Sequence, residues 1–274
     1  MTNQSTSTSK NSADMPHAPF LVQLYLVTRR TLVTIFRTPE ALLPPIAISI
    51  FFLIIYNSTL GKASGFIPNL GTNNYLGFIL PLSIVSSSLA GAGVAAQNLV
   101  RDIETGYFDK LLLTPISRAS LLLGPILAGA LILGLQAHIV ILVALIMGLN
   151  SATGIAGLYA AIGLAVLLGT GFAGFTVSAA LGSGSAAATQ GAGFIFFPLT
   201  FLAPTFVPLD LLSGWLKTAA TINPITYVLE AMRSIINTGW DATVIGKALI
   251  ACLVLAAAMY ALAVFALRAR TRRR

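Results

Sequence analysis

Hydrophobic and polar residues follow one another along this chain in long blocks. Six apolar blocks are each long enough for a helix of about 20 residues across a bilayer, and shorter polar stretches separate them. Membrane-spanning strands would give short alternating segments instead. The pattern therefore predicts an all-α polytopic membrane protein with six transmembrane helices. The predicted spans are residues 41–60, 75–100, 120–149, 154–181, 189–207 and 243–267.

Two different segments precede the first apolar block. Residues 1–18 are rich in Ser, Thr and Asn, which predicts a disordered cytoplasmic tail. From Phe20 to Arg37, helical spacing places Gln23, Arg30 and Thr34 with Arg37 in one polar stripe, and most of the remaining surface is apolar. Such a helix typically lies in the membrane interface. A poorly formed first spanning helix is the alternative interpretation.

Composition agrees with the block pattern and narrows the function classes. Of 274 residues, 56% are hydrophobic and only 9% are charged, where soluble domains have about a quarter. The net charge of +8 comes from basic residues at the ends of apolar blocks, so it indicates membrane orientation rather than nucleic-acid binding. The single Cys252 lies inside an apolar block, which excludes a disulfide framework or a cysteine metal cluster.

Charge placement also predicts the orientation of the chain. Six spans put both termini on one side, and 12 of the 16 Lys and Arg residues then fall on that side. The positive-inside rule makes this side cytoplasmic. The basic tail at 268–274 and the segment between spans two and three both face the cytoplasm in this arrangement.

The densest cluster of charge lies between spans two and three, with three basic and three acidic residues over 101–118. Helical spacing predicts a short helix along the inner membrane surface, with Tyr107 and Phe108 on its apolar side. Glu104 falls within the apolar arc, so it either has a cationic partner or precedes the helix and is solvated. Gly106 argues against a long rigid helix.

A second segment of mixed character, residues 208–241, lies between spans five and six. Asn223 followed by Pro224 is typical of a helix start, and the predicted helix continues to Ile236 and dips back into the membrane. Glu230 and Arg233 are three residues apart, so they can pair on one face. The aromatic residues suited to the membrane interface are Trp215, Tyr227 and Trp240.

Polar groups within the spans bear on how transport could be energised. Gln136 and His138 lie in the third span, and we expect a neutral His138 bonded to another helix. No acidic residue lies at helical spacing from them, and none lies in any of the six spans. This absence argues against proton or sodium coupling. A membrane-embedded enzyme would need a carboxylate pair or an activated nucleophile, which the spans lack.

Two stretches carry a family resemblance. Residues 104–118 read ETGYFDKLLLTPISR, and the second stretch contains Phe206-Val207-Pro208, Trp215-Leu216 and then NPITYVLEAMR from Asn223 to Arg233. In this order, and with the six-span layout, they resemble the coupling helix and the outer signature of ABC-2 type transporter permeases. The resemblance covers residues 19–267, and the pattern is most similar to bacterial daunorubicin-resistance-type exporters.

The resemblance implies a transmembrane subunit whose ATPase is a separate polypeptide. Its partners would be two ABC ATPase chains, a second permease chain that is identical or related, and membrane lipids. An amphipathic or hydrophobic substrate (drug, lipid or glycolipid) would leave the cytoplasm or inner leaflet across the cytoplasmic membrane. Near Gly246-Lys247 no Ser or Thr completes a phosphate loop, so ATP and Mg would bind the partner. A gradient-driven secondary transporter or channel is the alternative.

The resemblance also implies residue roles. It implies no catalytic, cofactor-binding or metal-binding residue in this chain. The implied ATPase-coupling residues are Arg101, Glu104, Gly106, Tyr107, Phe108, Thr114, Pro115 and Arg118. The implied outer-gate residues, on re-entrant helices between spans five and six, are Pro208, Trp215, Asn223, Pro224, Tyr227, Glu230 and Arg233.

Overall fold

A computed structural model describes residues 18–61, 74–206 and 208–272, and this part of the chain is helical throughout, with short connections. The α-helices are α1 (Phe20–Phe36), α2 (Pro39–Leu60), α3 (Asn74–Glu104), α4 (Tyr107–Leu112), α5 (Arg118–Ile146), α6 (Gly154–Ser183), α7 (Ala186–Gly193), α8 (Phe196–Leu202), α9 (Gly214–Ile222), α10 (Pro224–Arg233) and α11 (Ala242–Arg272). A 3₁₀ turn covers Leu209–Leu211, and a π-helical turn covers Ser234–Thr238.

Five of the described helices are long and apolar enough to cross a membrane, which confirms five of the predicted spans. They are Leu42–Thr59, Tyr75–Glu104, Arg118–Ile146, Gly154–Ser183 and Ala242–Arg272.

The predicted fifth span is not one continuous helix. It forms α7 and α8, with a break at Phe194 and Ile195. Pro198 lies in the first turn of α8, where its missing N–H costs least. Within a continuous helix its ring would clash with the carbonyl of Phe194. A sixth span therefore stays a prediction.

Helix α3 lies at the centre of the bundle, in contact with α2, α5, α6, α7 and α10. Of its span, 83% is buried, against 11% of the span in α2. Small residues allow this close packing. A Cβ at Gly91 of α3 would lie 2.3 Å from Leu133 Cδ2, and one at Gly169 of α6 would lie 2.6 Å from Leu133 Cδ1. The Leu133 side chain of α5 thus fills a gap between two glycines.

The bundle has two ends, which we name after a residue at each. The Glu104 end contains the last turn of α3, all of α4, the start of α5 and the last turns of α6 and α11. Here Arg270 of α11 donates a hydrogen bond to the Leu181 carbonyl of α6 at 2.9 Å. The Arg233 end contains the starts of α3 and α6 and all of α10. Here Thr153, just before α6, donates a hydrogen bond to the Ile235 carbonyl at 2.8 Å. Helix α11 continues through Arg272, so the predicted tail at 268–274 is helical at least to that residue.

Helix α1 forms as predicted, but its faces differ from the expected ones. Gln23, Val27, Thr31 and Ile35, spaced by four, are its buried row. Gln23, expected in a solvated polar stripe, instead accepts a hydrogen bond from the Ser117 backbone N–H at 2.8 Å. The helix lies along the first half of α5, and its position in a membrane interface stays a prediction. The predicted tail at 1–18 lies, except for Ala18, outside the described residues.

Candidate functional site

The charged segment at the Glu104 end does not form the single helix that its spacing predicts. Arg101 through Glu104 belong to the last turn of α3, and α4 begins only at Tyr107. Gly106 separates the two helices with a φ of +69°, a left-handed conformation that favours glycine. The expectation that Gly106 prevents a long rigid helix is therefore confirmed. The chain turns at this glycine and leaves α4 as a separate six-residue element.

Phe108 holds α4 against the bundle. Its side chain is 2% exposed and belongs to the main hydrophobic core. The leucines around it come from four helices, α3, α5, α6 and α11: Leu99, Leu121, Leu122, Leu181 and Leu267. Because the ring is enclosed, Phe108 anchors α4 rather than presenting a surface to a partner.

A charged contact ties α4 to α1. The Arg30 guanidinium donates to both carboxylate oxygens of Asp102, at 2.8 and 2.5 Å. Its centre also lies 4.0 Å from the centroid of the Tyr107 ring, which is within cation–π range. The hydrogen bond to Asp102 raises the pKa of Arg30, and burial opposes this effect. One side chain of α1 thereby contacts both α3 and α4.

The remaining residues of this segment form an exposed surface. Glu104 is exposed, and its Oε1 accepts a hydrogen bond from the Ala186 backbone N–H at 3.4 Å. It precedes α4 and is solvated, which confirms that alternative. Tyr107 is 37% exposed and Leu113 is 88% exposed. The predicted coupling residues that are also exposed are Arg101, Thr114, Pro115 and Arg118.

Sequence reasoning missed Leu113 and the Arg30–Asp102 pair. Leu111, Leu112 and Leu113 at 100° per residue spread over about 200° of a helix, wider than the one face that α4 can bury. That spread was a signal that one of the three leucines faces solvent. The Arg30–Asp102 pair joins residues 72 apart in the chain, and no local pattern indicates such a contact.

At the Arg233 end, the predicted helix start is confirmed. Pro224 is at the first position of α10, and the Asn223 side chain accepts from the Ile225 N–H at 3.0 Å. The same side chain donates to the Leu199 carbonyl of α8 at 2.6 Å. Helix α10 ends at Arg233, before the expected Ile236, because the chain continues as a π-helical turn. Asn223 thus both starts α10 and fixes it to α8.

Arg233 is bonded to backbone carbonyls from two separate segments. It donates to Phe78 O at 3.1 Å, Pro204 O at 2.6 Å and Thr205 O at 2.8 Å. Its guanidinium centre lies 3.6 Å from the centroid of the Phe78 ring. Burial lowers the pKa of Arg233 to about 9, so the side chain remains charged at neutral pH.

The predicted Glu230–Arg233 ion pair does not form, because the Arg233 guanidinium is directed toward those carbonyls. Glu230 is partly buried. Burial raises the pKa of Glu230, and the charge of Arg233 opposes this shift.

The other predicted gate residues lie on or beside α9 and α10. Pro208 precedes the 3₁₀ turn, and Trp215 of α9 is 74% exposed. The Tyr227 hydroxyl donates to the Thr221 carbonyl at 2.6 Å, which links α10 to α9. Trp240, before α11, is also exposed. We name residues 208–233, which include the 3₁₀ turn, α9 and α10, the cap of the bundle.

The intramembrane polar residues behave differently from expectation. His138 Nδ1 lies 2.7 Å from the Gly134 carbonyl of its own helix, so the prediction of a bond to another helix is wrong. Its ring meets that of Tyr159 edge-on, with 5.3 Å between centroids. The Gln136 amide is 1% exposed and lies against Gly91, without a hydrogen-bond partner among the described residues.

Several known proteins are similar to this sequence over most of its length. The relatives include the transport permease ycf38 of Cyanophora paradoxa, 27% identical over 78% of this chain and 74% of its own. Two other relatives are named for drug resistance. The doxorubicin resistance ABC transporter permease DrrC of Mycobacterium tuberculosis is 25% identical over 82% of this chain and 79% of its own. The daunorubicin resistance ABC transporter permease DrrB1 of Streptomyces coeruleorubidus is 25% identical over 73% of this chain and 69% of its own.

The family match covers both ends of the bundle. The ABC-2 type transporter family matches residues 22–237, a range that includes most of α1, the whole α3–α4 segment and the Arg233 cluster. Most of the chain is thus covered by one family. The chain belongs to the ABC-2 type transporter family.

Proposed function

We propose that this chain is the transmembrane permease subunit of an ABC exporter, with ATP bound and hydrolysed by separate ATPase chains. The family membership and the permease names of the relatives support this function. The observation that carries it is the construction of α4. This short helix is held firmly by Phe108 on one side and exposes Tyr107 and Leu113 on the other. An anchored helix with an exposed apolar tip is suited to transmit a partner's movement.

The proposed contact with the ATPase is the exposed surface around α4. Leu113 would enter an apolar pocket of the partner, since a large apolar side chain that is 88% exposed is typical of an interaction site. Glu104 and Lys110 would add charged contacts at its rim. Movement of α4 would pass to the bundle through Phe108 and to α1 through Arg30.

The proposed membrane layout has six crossings and cytoplasmic termini. Helices α7 and α8 cover 186–202, about 25 Å of helix at 1.5 Å per residue. Ala186 contacts Glu104, whereas Pro204, just beyond α8, contacts Arg233 at the opposite end. This short broken segment would complete the sixth crossing. The positive-inside rule then places the Glu104 end in the cytoplasm, and α1 would lie at that surface of the membrane.

At the opposite end, α9 and α10 would act as the outer gate. They cap the bundle and are fixed to α3 and α8 by Arg233 and Asn223. Opening an outward path would require these contacts to change.

The proposed assembly contains two ATPase chains and a second permease chain, identical or related. Its substrate would be amphipathic or hydrophobic (drug, lipid or glycolipid), which the drug-resistance names of two relatives support. Export would run from the cytoplasm or the inner leaflet outward across the cytoplasmic membrane. ATP and Mg would be held by the partner.

Co-purification of ABC ATPase chains of the native cell with this permease tests the proposal. Leu113→Asp, and separately Glu104→Ala combined with Tyr107→Ala, should reduce the ATPase recovered with the permease by about tenfold, as expected when a central contact is lost. Leu211→Asp is the matched control, because Leu211 is 55% exposed and lies in the cap. Equal recovery for Leu113→Asp and Leu211→Asp would overturn the docking surface, and substrate flux without ATP would overturn the exporter assignment.

A further inference from the structure

A cavity of about 260 Å³ lies between α1, α3 and the start of α4. We name it the Arg101 pocket. Its volume is many times the space that one water needs, so it has room for a group of several atoms. The lining residues are Arg30, Thr31, Thr34, Asn98, Arg101, Asp102, Thr105 and Tyr107.

The wall of the Arg101 pocket has an excess of positive charge. Arg30 and Arg101 contribute two positive charges, and Asp102, already bonded to Arg30, contributes one negative charge. Among the described residues, Arg101 has no side-chain hydrogen bond or ion pair. A guanidinium carries five N–H donors in a planar fork that matches phosphate geometry. Arg101 is therefore a free cation at the edge of a cavity.

The three threonine hydroxyl groups of the wall have no hydrogen left to donate to a ligand. Thr31, Thr34 and Thr105 each donate their single hydroxyl hydrogen to a carbonyl of their own helix, at 3.0, 3.1 and 2.8 Å. Asn98 uses one amide N–H on the Val94 carbonyl at 3.0 Å, which leaves its second N–H. The donors left for a ligand thus come from Arg101, Asn98, the Tyr107 hydroxyl and the unused N–H groups of Arg30. Such donors suit an anion.

The position of the pocket along the bundle indicates the source of this anion. Asn98, Arg101 and Asp102 lie in the last two turns of α3. A helix of 31 residues is about 46 Å long and therefore extends beyond a hydrocarbon core of about 30 Å. One turn before and after Arg30, α1 exposes the apolar side chains of Leu26 and Val33, which an acyl chain can cover. Leu21, Tyr25 and Phe36 extend this exposed apolar surface along the helix.

We propose that the Arg101 pocket binds a phosphate group, with Arg101 as its principal ligand. Two sources offer this chemistry, the headgroup of an anionic phospholipid and free inorganic phosphate. The apolar face of α1 favours the lipid. A phosphate in the pocket would bridge Arg101 of α3 and Arg30 of α1, and thereby stabilise the helix pair next to α4. The proposal depends on the membrane position of this end and not on ATPase coupling.

Native mass spectrometry of the full chain in detergent tests the pocket. The ligands are phosphatidylglycerol, phosphatidylcholine and inorganic phosphate, each added separately. Arg101→Gln should weaken binding of the favoured phosphate ligand by about tenfold, the effect of losing a charged hydrogen-bonding group. Arg118→Gln is the matched control, because Arg118 is exposed at the same end but does not line the cavity. Arg101→Lys, which keeps the charge, should restore part of the affinity.

The results distinguish a lipid ligand, a soluble phosphate ligand and the absence of a phosphate site. Arg101-dependent binding of phosphatidylglycerol supports a lipid site, and Arg101-dependent binding of phosphate without phosphatidylglycerol supports the same site with a soluble ligand. Equal binding by the Arg101→Gln and Arg118→Gln chains would overturn the proposal. So would equal retention of phosphatidylcholine and phosphatidylglycerol together with no phosphate binding. An unchanged melting temperature for Arg101→Gln shows that a loss of binding does not come from unfolding, and the test needs no ATPase partner.

Discussion

The two ends of the bundle each contain an arginine that joins separate helices, but the two arginines have different partners. Arg30, at the Glu104 end, is partly exposed and binds the carboxylate of Asp102. Arg233, at the other end, binds three backbone carbonyls and the face of Phe78. A partly exposed ion pair contributes at most about 1 kcal/mol. An enclosed cation bonded to carbonyls is far more costly to release.

The partners of the two arginines determine which end of the bundle can adjust easily. Backbone carbonyls do not titrate and move only with their helices, so the Arg233 contacts form or break together. The Arg30 contact can be exchanged for water or for another anion at little cost. The contacts of Arg30 at the Glu104 end can therefore change easily when a partner binds. The contacts of Arg233 at the other end are either all formed or all broken, which gives that end two distinct states.

Arg233→Leu should give the largest effect. It leaves three buried carbonyls without their donor, and each such loss costs about 1–3 kcal/mol. We therefore expect a destabilisation of at least about 3 kcal/mol, measured as a lower apparent melting temperature in detergent. Arg233→Lys keeps the charge but not the planar fork, so it should fall between Arg233→Leu and the native chain. A loss for Arg233→Leu no greater than for the exposed control Arg118→Leu would show that the carbonyl contacts do not stabilise this end.

Phe108→Ala should give the second-largest effect. We expect it to lower the free energy of unfolding by about 3 kcal/mol, because it empties a buried aromatic site. Thermal unfolding of the isolated permease measures this loss. Tyr107→Ala is the neighbouring control, and its cost should be much smaller because that ring is 37% exposed. Equal costs for the two substitutions would mean that α4 is not anchored by Phe108.

Asp102→Asn should cost less than about 1 kcal/mol, as for a partly exposed ion pair. Hydrogen exchange should show faster amide exchange in α1, with little change in α10. Added salt should reduce the difference between the variant and the native chain, because it screens the pair. Faster exchange throughout the bundle would instead assign the Arg30–Asp102 pair a global structural role.

Glu230→Gln should have the smallest effect and a defined pH dependence. Burial raises the pKa of Glu230 above its ordinary value of 4.5. The stability that this group contributes is therefore full below its unfolded pKa and is lost as pH rises through the folded pKa. The native chain should gain stability relative to Glu230→Gln when pH falls from 7.5 toward 4.5. Parallel melting curves across that range would show that Glu230 is not buried as described.

Sequence reasoning succeeded where the signal is local or periodic. Five spans follow from apolar length, and the start of α10 follows from Asn223 and Pro224 because a cap and its helix are adjacent in the chain. The partners of Arg233 could not be found this way. Two of its three acceptors are 28 and 29 residues away, the third is 155 away, and all are backbone groups with no residue signature. The nearby Glu230 was a reasonable but wrong choice.

The break between α7 and α8 shows a different limit. Residues 189–207 are apolar enough to predict a span, but Pro198 interrupts the helix within them. Hydropathy averages over such interruptions. The left-handed turn at Gly106 likewise divided a segment that helical spacing treats as one helix. In both places a sequence pattern was applied across a backbone break: apolar length at Pro198 and helical spacing at Gly106.

The side chain of Leu133 has a consequence for motion. It fills the space between Gly91 and Gly169, where even one added carbon would collide with it. Helices α3, α5 and α6 therefore cannot slide past one another unless the Leu133 side chain moves first. We expect opening and closing to occur more easily at the borders of these three helices. Those borders are formed by α1 and α4 at one end, and by α8, α9 and α10 at the other.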